Sequence, residues 1–117
     1  GRANFVQATV ADKGSSSTTL SLLGLTLTVP STVSAPVGSQ VEVLLRPEAI
    51  KLRADATLPQ ATVEQTMYLG SEIEYVVLAN GIRLTVAEND PRVSQIFAEG
   101  ETVGIDFVAE AIHIIPA

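Results

Sequence analysis

The chain has 117 residues, a formal net charge of −6 and no cysteine. Its seven basic residues are scattered, which excludes a phosphate-binding nucleic-acid surface and a polybasic membrane patch. The missing thiols exclude disulfides and thiolate metal sites, and a reducing compartment is allowed.

Hydrophobic residues make up 46% and aromatics only 4%, so the core has to be built from Val, Leu, Ile and Ala. The length fits one domain spanning residues 1–117. No apolar run reaches the roughly 20 residues of a membrane span, and no signal-peptide pattern is present. Gly1-Arg2 is not a natural start, which suggests a piece of a longer protein.

In chain order, Asn4 to Ala11 is apolar and β-branched and predicts a strand. A loop of Asp12, Lys13, Gly14 and serines follows. Thr18 to Leu23 is a second strand, turned at Gly24. Leu25 to Val29 alternates strictly, which puts Leu25, Leu27 and Val29 on one face and the threonines on the other. Pro30 to Gly38 is a connecting loop. Val41 to Leu52 reads as a strand that stops at Arg46-Pro47-Glu48 and restarts; Val41, Val43 and Leu45 share its inner face.

Arg53 to Pro59 is a polar link. Ala61 to Leu69 is a strand broken at Gly70, and Ser71 to Ala79 is another. Asn80-Gly81 accepts the positive φ angles of a type I′ turn. That fixes a register: Ala79 faces Ile82, Val77 faces Leu84 and Tyr75 faces Val86. Residues 91–97 have room for one short helical turn, with Pro91 at its first position. Thr102 to Val108 and Ala111 to Ile115 complete the strands.

The pattern repeats. Gly38 to Leu52 aligns without gaps on Gly100 to Ile114, and Gly24 to Val29 aligns on Gly81 to Val86. The latter offset also pairs Val6 with Val63, Thr9 with Thr66 and Val10 with Met67. Two copies, about 1–58 and 59–117, are too small to be comfortable alone. The expected fold is therefore all-β: OB-like Greek-key barrels from two tandem repeats, packed as a pair or interleaved.

Signals for catalysis are weak. There is no Gly-rich phosphate loop, G-x-S-x-G elbow or H-E-x-x-H, so no catalytic residue is assigned. The single histidine, His113, falls on the outer face of its strand, and one imidazole makes a poor metal site. Glu72 and Glu74 share a strand face. Paired carboxylates suit acid–base work or a cation, and equally the wet face of a strand. Arg83 sits opposite Leu78, too far to pair with Glu74. The backbone at Gly70-Ser71, next to Glu72, could offer N–H groups to a ligand anion, or simply make a turn. Pro47 lacks an N–H and ends the ladder, and it holds Arg46 extended. The second copy has Val108-Ala109-Glu110 here, so the geometry is reachable without Arg and Pro. That leaves Arg46 and Pro47 free for contact with another domain.

Asn4-Phe5 at the start, Arg46-Pro47-Glu48 within Leu44 to Ile50, and Leu69-Gly70 resemble, in this order, the transport-associated OB (TOBE) domain. That domain follows the nucleotide-binding domain in ATP-binding subunits of bacterial ABC importers. The resemblance implies a non-catalytic regulatory or dimerisation region in the cytoplasm, peripheral to the membrane. Its partners would be the nucleotide-binding domain of the same chain, a second ATPase subunit and the permease subunits. ATP and Mg would belong to the absent part, leaving no cofactor here. Importers of ferric iron, polyamines, thiamine or phosphonates are the nearest class. The tandem repeat also resembles the small molybdate-binding (Mop) modules, which makes oxyanion binding the alternative, although that family's Ser-Ala-Arg-Asn type entry is missing.

Overall fold

A computed structural model describes residues 3–92 and 95–116. The protein is all-β, as the alternation predicts. The first copy gives β1 (Asn4–Lys13), β2 (Thr18–Leu22), β3 (Leu25–Val29), β4 (Gln40–Leu45) and β5 (Lys51–Arg53). The second gives β6 (Gln60–Leu69), β7 (Glu72–Ala79), β8 (Ile82–Glu88), β9 (Thr102–Asp106) and β10 (His113–Ile114). A single-turn 3-10 helix precedes each closing strand: η1 (Pro47–Ala49) and η2 (Ala109–Ala111).

The strands form two five-stranded sheets, ordered β10-β4-β1-β2-β3 and β5-β9-β6-β7-β8. Each sheet therefore takes its last strand from the other copy. The contacts divide the chain accordingly. Unit 1 is Gly1–Asn4 with Arg46–Phe107, and unit 2 is Phe5–Leu45 with Val108–Ala117. Neither unit is a sequence repeat; each is one copy completed by the other's closing strand.

In unit 2 the apolar face is Val6, Val10, Leu20, Val43 and Leu45, all buried. In unit 1 it is Val63, Tyr75, Val77, Leu84 and Ile105. A fully buried Val or Leu contributes about 1.5–3 kcal/mol. The ion pairs Arg53–Asp106 (3.0 Å) and Arg83–Glu64 (2.8 Å) are partly exposed, and such pairs contribute about 0–1 kcal/mol each. Apolar burial decides the fold.

The β7–β8 register is the one the Asn80-Gly81 turn dictates, including Ala79 opposite Ile82 and Tyr75 opposite Val86. Asn80 (φ 51°) and Gly81 (φ 81°) supply the positive φ angles. Leu23 (φ 51°) and Gly24 (φ 81°) make the same turn between β2 and β3.

The repeat holds with one correction. The Val10 N–H donates to the Ser39 carbonyl and the Gly38 N–H donates to the Val10 carbonyl. Val63 does the same with Glu101 and Gly100. Val10 thus matches Val63, not Met67. Nine residues separate Val10 from its partner Leu20, and thirteen separate Val63 from Val77. The longer β6–β7 hairpin displaced the sequence alignment of the first strand. Gly38 and Gly100 both have φ of 91° and occupy the tight turn just before β4 and β9, closed by Ser39 N–H to Pro36 and Glu101 N–H to Ala98.

Several boundaries differ from expectation: β9 ends at Asp106 rather than Val108, and β10 starts at His113 rather than Ala111, because η2 takes up Ala109–Ala111. β1 runs on to Lys13, because Asp12 and Lys13 still pair with Thr19 and Thr18 beyond a bulge at Ala11. The Arg46-Pro47-Glu48 step is a helical turn rather than a bare break. Arg46 is extended (φ −74°, ψ 147°), and Pro47 takes the first helical position, where its missing N–H costs nothing. η2 repeats this turn without proline. No helix forms among the described residues of 91–97; Pro91 and Arg92 form a turn, and Val93 and Ser94 lie outside the described residues.

Candidate functional site

In unit 1 the entry residue Asn4 and the Arg46 step both meet β8. Asn4 is buried, and its Nδ2 donates to the Thr85 carbonyl at 2.8 Å. The Thr85 N–H donates back to Asn4 Oδ1, also at 2.8 Å. η1 packs against the same strand. Pro47 is buried there, while Arg46 and Glu48 are exposed. Lys51 of β5 reaches Glu88 at the end of β8, 3.9 Å away. Phe5 belongs to unit 2 and is 60% exposed.

The other motif residues lie elsewhere in unit 1. Gly70 (φ 72°) and Ser71 turn the β6–β7 hairpin, and both are exposed. Glu72 pairs with Leu69 beside that turn. Glu72 and Glu74 do not pair with Arg83, which lies opposite Leu78 as expected. Its partner is Glu64, the residue left over by a bulge in β6, which the sequence reading missed. Gly70, Ser71 and Glu72 therefore stand apart from the cluster on β8. Among the described residues, no group of three or more His, Asp or Glu could hold a metal ion.

Two unforeseen side chains hold the loop before each long strand. In unit 2, Thr18 is fully buried and its hydroxyl donates to the Ser31 carbonyl at 2.8 Å. In unit 1 the matching residue is Tyr75, whose hydroxyl accepts from the Phe97 N–H at 3.2 Å. Its ring lies 6.4 Å from that of Phe97. Burial pushes the Tyr75 hydroxyl above the usual tyrosine range. In the exposed β5–β6 link, the Thr57 hydroxyl, then the Thr57 N–H, hold the Asp55 carboxyl below the usual carboxylate range.

A concavity lies within unit 2. It is a groove of about 950 Å³ between the loop at 30–35, the start of β4, and the segment from η2 to Pro116. Val29, Val41, Ile112 and Ile114 give it apolar walls, and Ser31, Thr32, Ser34 and Gln40 give it polar ones. Its charged side chains are the carboxylates Glu42 and Glu110, and His113 stands beside them. His113 is exposed on the outer face, as the alternation requires. Such a groove can receive an apolar chain bearing positive charge.

The family model described as TOBE domain matches residues 43–115. The spermidine/putrescine import ATP-binding protein PotA of Roseobacter denitrificans is 30% identical over 113 residues, covering 91% of this chain and 31% of its own. PotA of Pseudomonas fluorescens is 38% identical over 79 residues, covering 61% of this chain and 21% of its own. The chain thus spans less than a third of the curated relatives it matches. Among solved structures, the cytoplasmic molybdate-binding protein ModG, crystallised with molybdate bound, matches with a TM-score of 0.77. That likeness covers 97% of this chain and 96% of the other at 16% identity, a likeness of fold.

Proposed function

We propose, because the chain belongs to the TOBE domain family, that it is the non-catalytic accessory region of an ABC importer's ATP-binding subunit. The observation that carries this reading is the 30% identity to a PotA subunit across 91% of the chain. Within the class of ferric iron, polyamine, thiamine and phosphonate importers, we favour polyamines, a reading supported by the likeness to two PotA subunits. The region works beside a nucleotide-binding domain of the same polypeptide, a second ATPase subunit and permeases. It is cytoplasmic and peripheral to the membrane. ATP and Mg bind in the nucleotide-binding domain, and the described residues of this chain carry β structure for contact and regulation. The genomic sequence upstream of Gly1 tests this: it should encode a Walker A lysine and an ABC signature. An unrelated upstream sequence overturns the reading.

The ModG likeness favours a second reading, oxyanion binding. Glu42 and Glu110 at the groove repel an anion, which weighs against it there. Calorimetry with molybdate, tungstate, sulfate and phosphate decides: saturable heat supports the oxyanion reading, and none across all four removes it.

A further inference from the structure

The two units are built alike, so a feature present in one and altered in the other is informative. In unit 1 one edge of the sheet is β5, which among the described residues pairs only with β9. That edge carries Lys51 and Arg53, in ion pairs with Glu88 and Asp106. Charged side chains, lysine above all, are how sheets keep an edge from accepting another strand. In unit 2 the matching edge is β10, which among the described residues pairs only with β4. Its residues at the same places are His113 and Ile115, and Ser31 stands where Glu88 stands in unit 1. The guard charges are gone, and with them the tie between the closing strand and the segment after the hairpin.

A second difference lies one strand inward. Gly104 of β9 has no side chain because the β5–β6 link crosses it. A Cβ there would meet the Asp55 carbonyl at 2.6 Å and Leu58 Cβ at 2.9 Å. What covers this place in unit 1 is polypeptide, with a leucine pressed onto the strand. In unit 2 the matching residue is Glu42, and it lines the open groove. The groove thus joins a two-residue strand edge that lacks lysine and arginine and runs into Pro116, apolar walls and two carboxylates. A second copy of this chain, with its net charge of −6, brings the wrong sign to it.

We propose that this groove receives an extended, basic peptide segment, which adds as a strand to the free edge of β10 and sets a lysine or arginine against Glu42 and Glu110. Strand addition gives backbone hydrogen bonds to any extended chain, and the side-chain pockets supply the selection. The inference stands apart from the transporter reading, because it uses only the two units of this chain.

The probe is the capped heptapeptide acetyl-Thr-Val-Lys-Val-Lys-Val-Thr-amide, titrated into the isotopically labelled 117-residue chain. Saturable amide shifts are expected at His113 to Ile115 and Ser31 to Ala35. The double variant Glu42→Gln, Glu110→Gln, at exposed positions that leave the core intact, should weaken binding about tenfold. A peptide with Glu in place of Lys, and one with alternate backbone amides methylated, should not bind. Four results overturn the proposal: no saturable shift at millimolar peptide; equal shifts from the Glu peptide; equal shifts from free spermine, which would assign a small cation; or self-association that protects β10 before peptide is added.

Discussion

The side-chain amide of Asn4 and the backbone of Thr85 exchange two hydrogen bonds of 2.8 Å each, so one residue does for β8 what a neighbouring strand would do. Removing the amide leaves a backbone donor and an acceptor of half-buried Thr85 without these partners. Asn4→Ala should cost about 2 kcal/mol, within the usual range for orphaned buried polar groups. Asn4→Asp keeps the acceptor but loses the donor, and should cost no less. Urea unfolding of both variants checks this.

Tyr75 offers a pH-dependent test. Its hydroxyl is held above the ordinary value of 10.0 by burial first. The folded state therefore keeps its proton where the unfolded state has lost it. Stability is fully present below the unfolded value and falls as the pH rises from there toward the folded one. Tyr75→Phe should lose about 1 kcal/mol at neutral pH, because the Phe97 N–H loses its acceptor. The variant should also show a flatter decline in alkali. Urea midpoints at neutral and alkaline pH measure both.

Gly104 and Gly100 should fail for different reasons. Gly104→Ala drives a methyl group into the backbone of Asp55 and the side chain of Leu58. About 1–3 kcal/mol is expected for such crowding. A Cβ at Gly100 meets nothing within 4 Å, but its φ of 91° disfavours any side chain; about 1–2 kcal/mol follows from conformation alone. Leu58→Gly, which removes both the Cβ at 2.9 Å and the Cδ1 at 3.2 Å, should rescue part of the first loss and none of the second. A double-mutant cycle reads the difference.

The Arg46 step separates into two roles. Arg46 is exposed and makes no capping bond, so Arg46→Ala should change stability by less than about 0.5 kcal/mol. Pro47 is buried at the first helical position, and Pro47→Ala should cost about 1 kcal/mol, chiefly by loosening the unfolded chain. If Arg46 meets another domain, its variant should weaken that association while melting as the parent does. Thermal melts and binding to the rest of the subunit test the pair.

Strand pattern and turn chemistry were legible because they are local. Asn80-Gly81 set a register that holds pair by pair, and the Leu25–Val29 alternation put its threonines outside. The first-strand alignment slipped because the added hairpin length around Gly70 carries the same apolar alternation as the strand it lengthens. The groove was invisible for another reason. Glu42, Glu110 and the loop at 30–35 lie far apart in sequence, and they converge only because β10 leaves its own copy. Asn4 was singled out by resemblance, but its role needed Thr85, 81 positions away.

The exchanged closing strands have a consequence for how such a chain could arise. One copy alone, about 58 residues, ends in a strand with no place in its own sheet. Two separate copies could satisfy each other only by trading tails, as a pair of molecules. Joining them end to end turns that trade into an internal one. It also frees the two units to diverge, unit 1 with Lys51 and Glu88 across its seam, unit 2 with His113 and Ser31 at the same places.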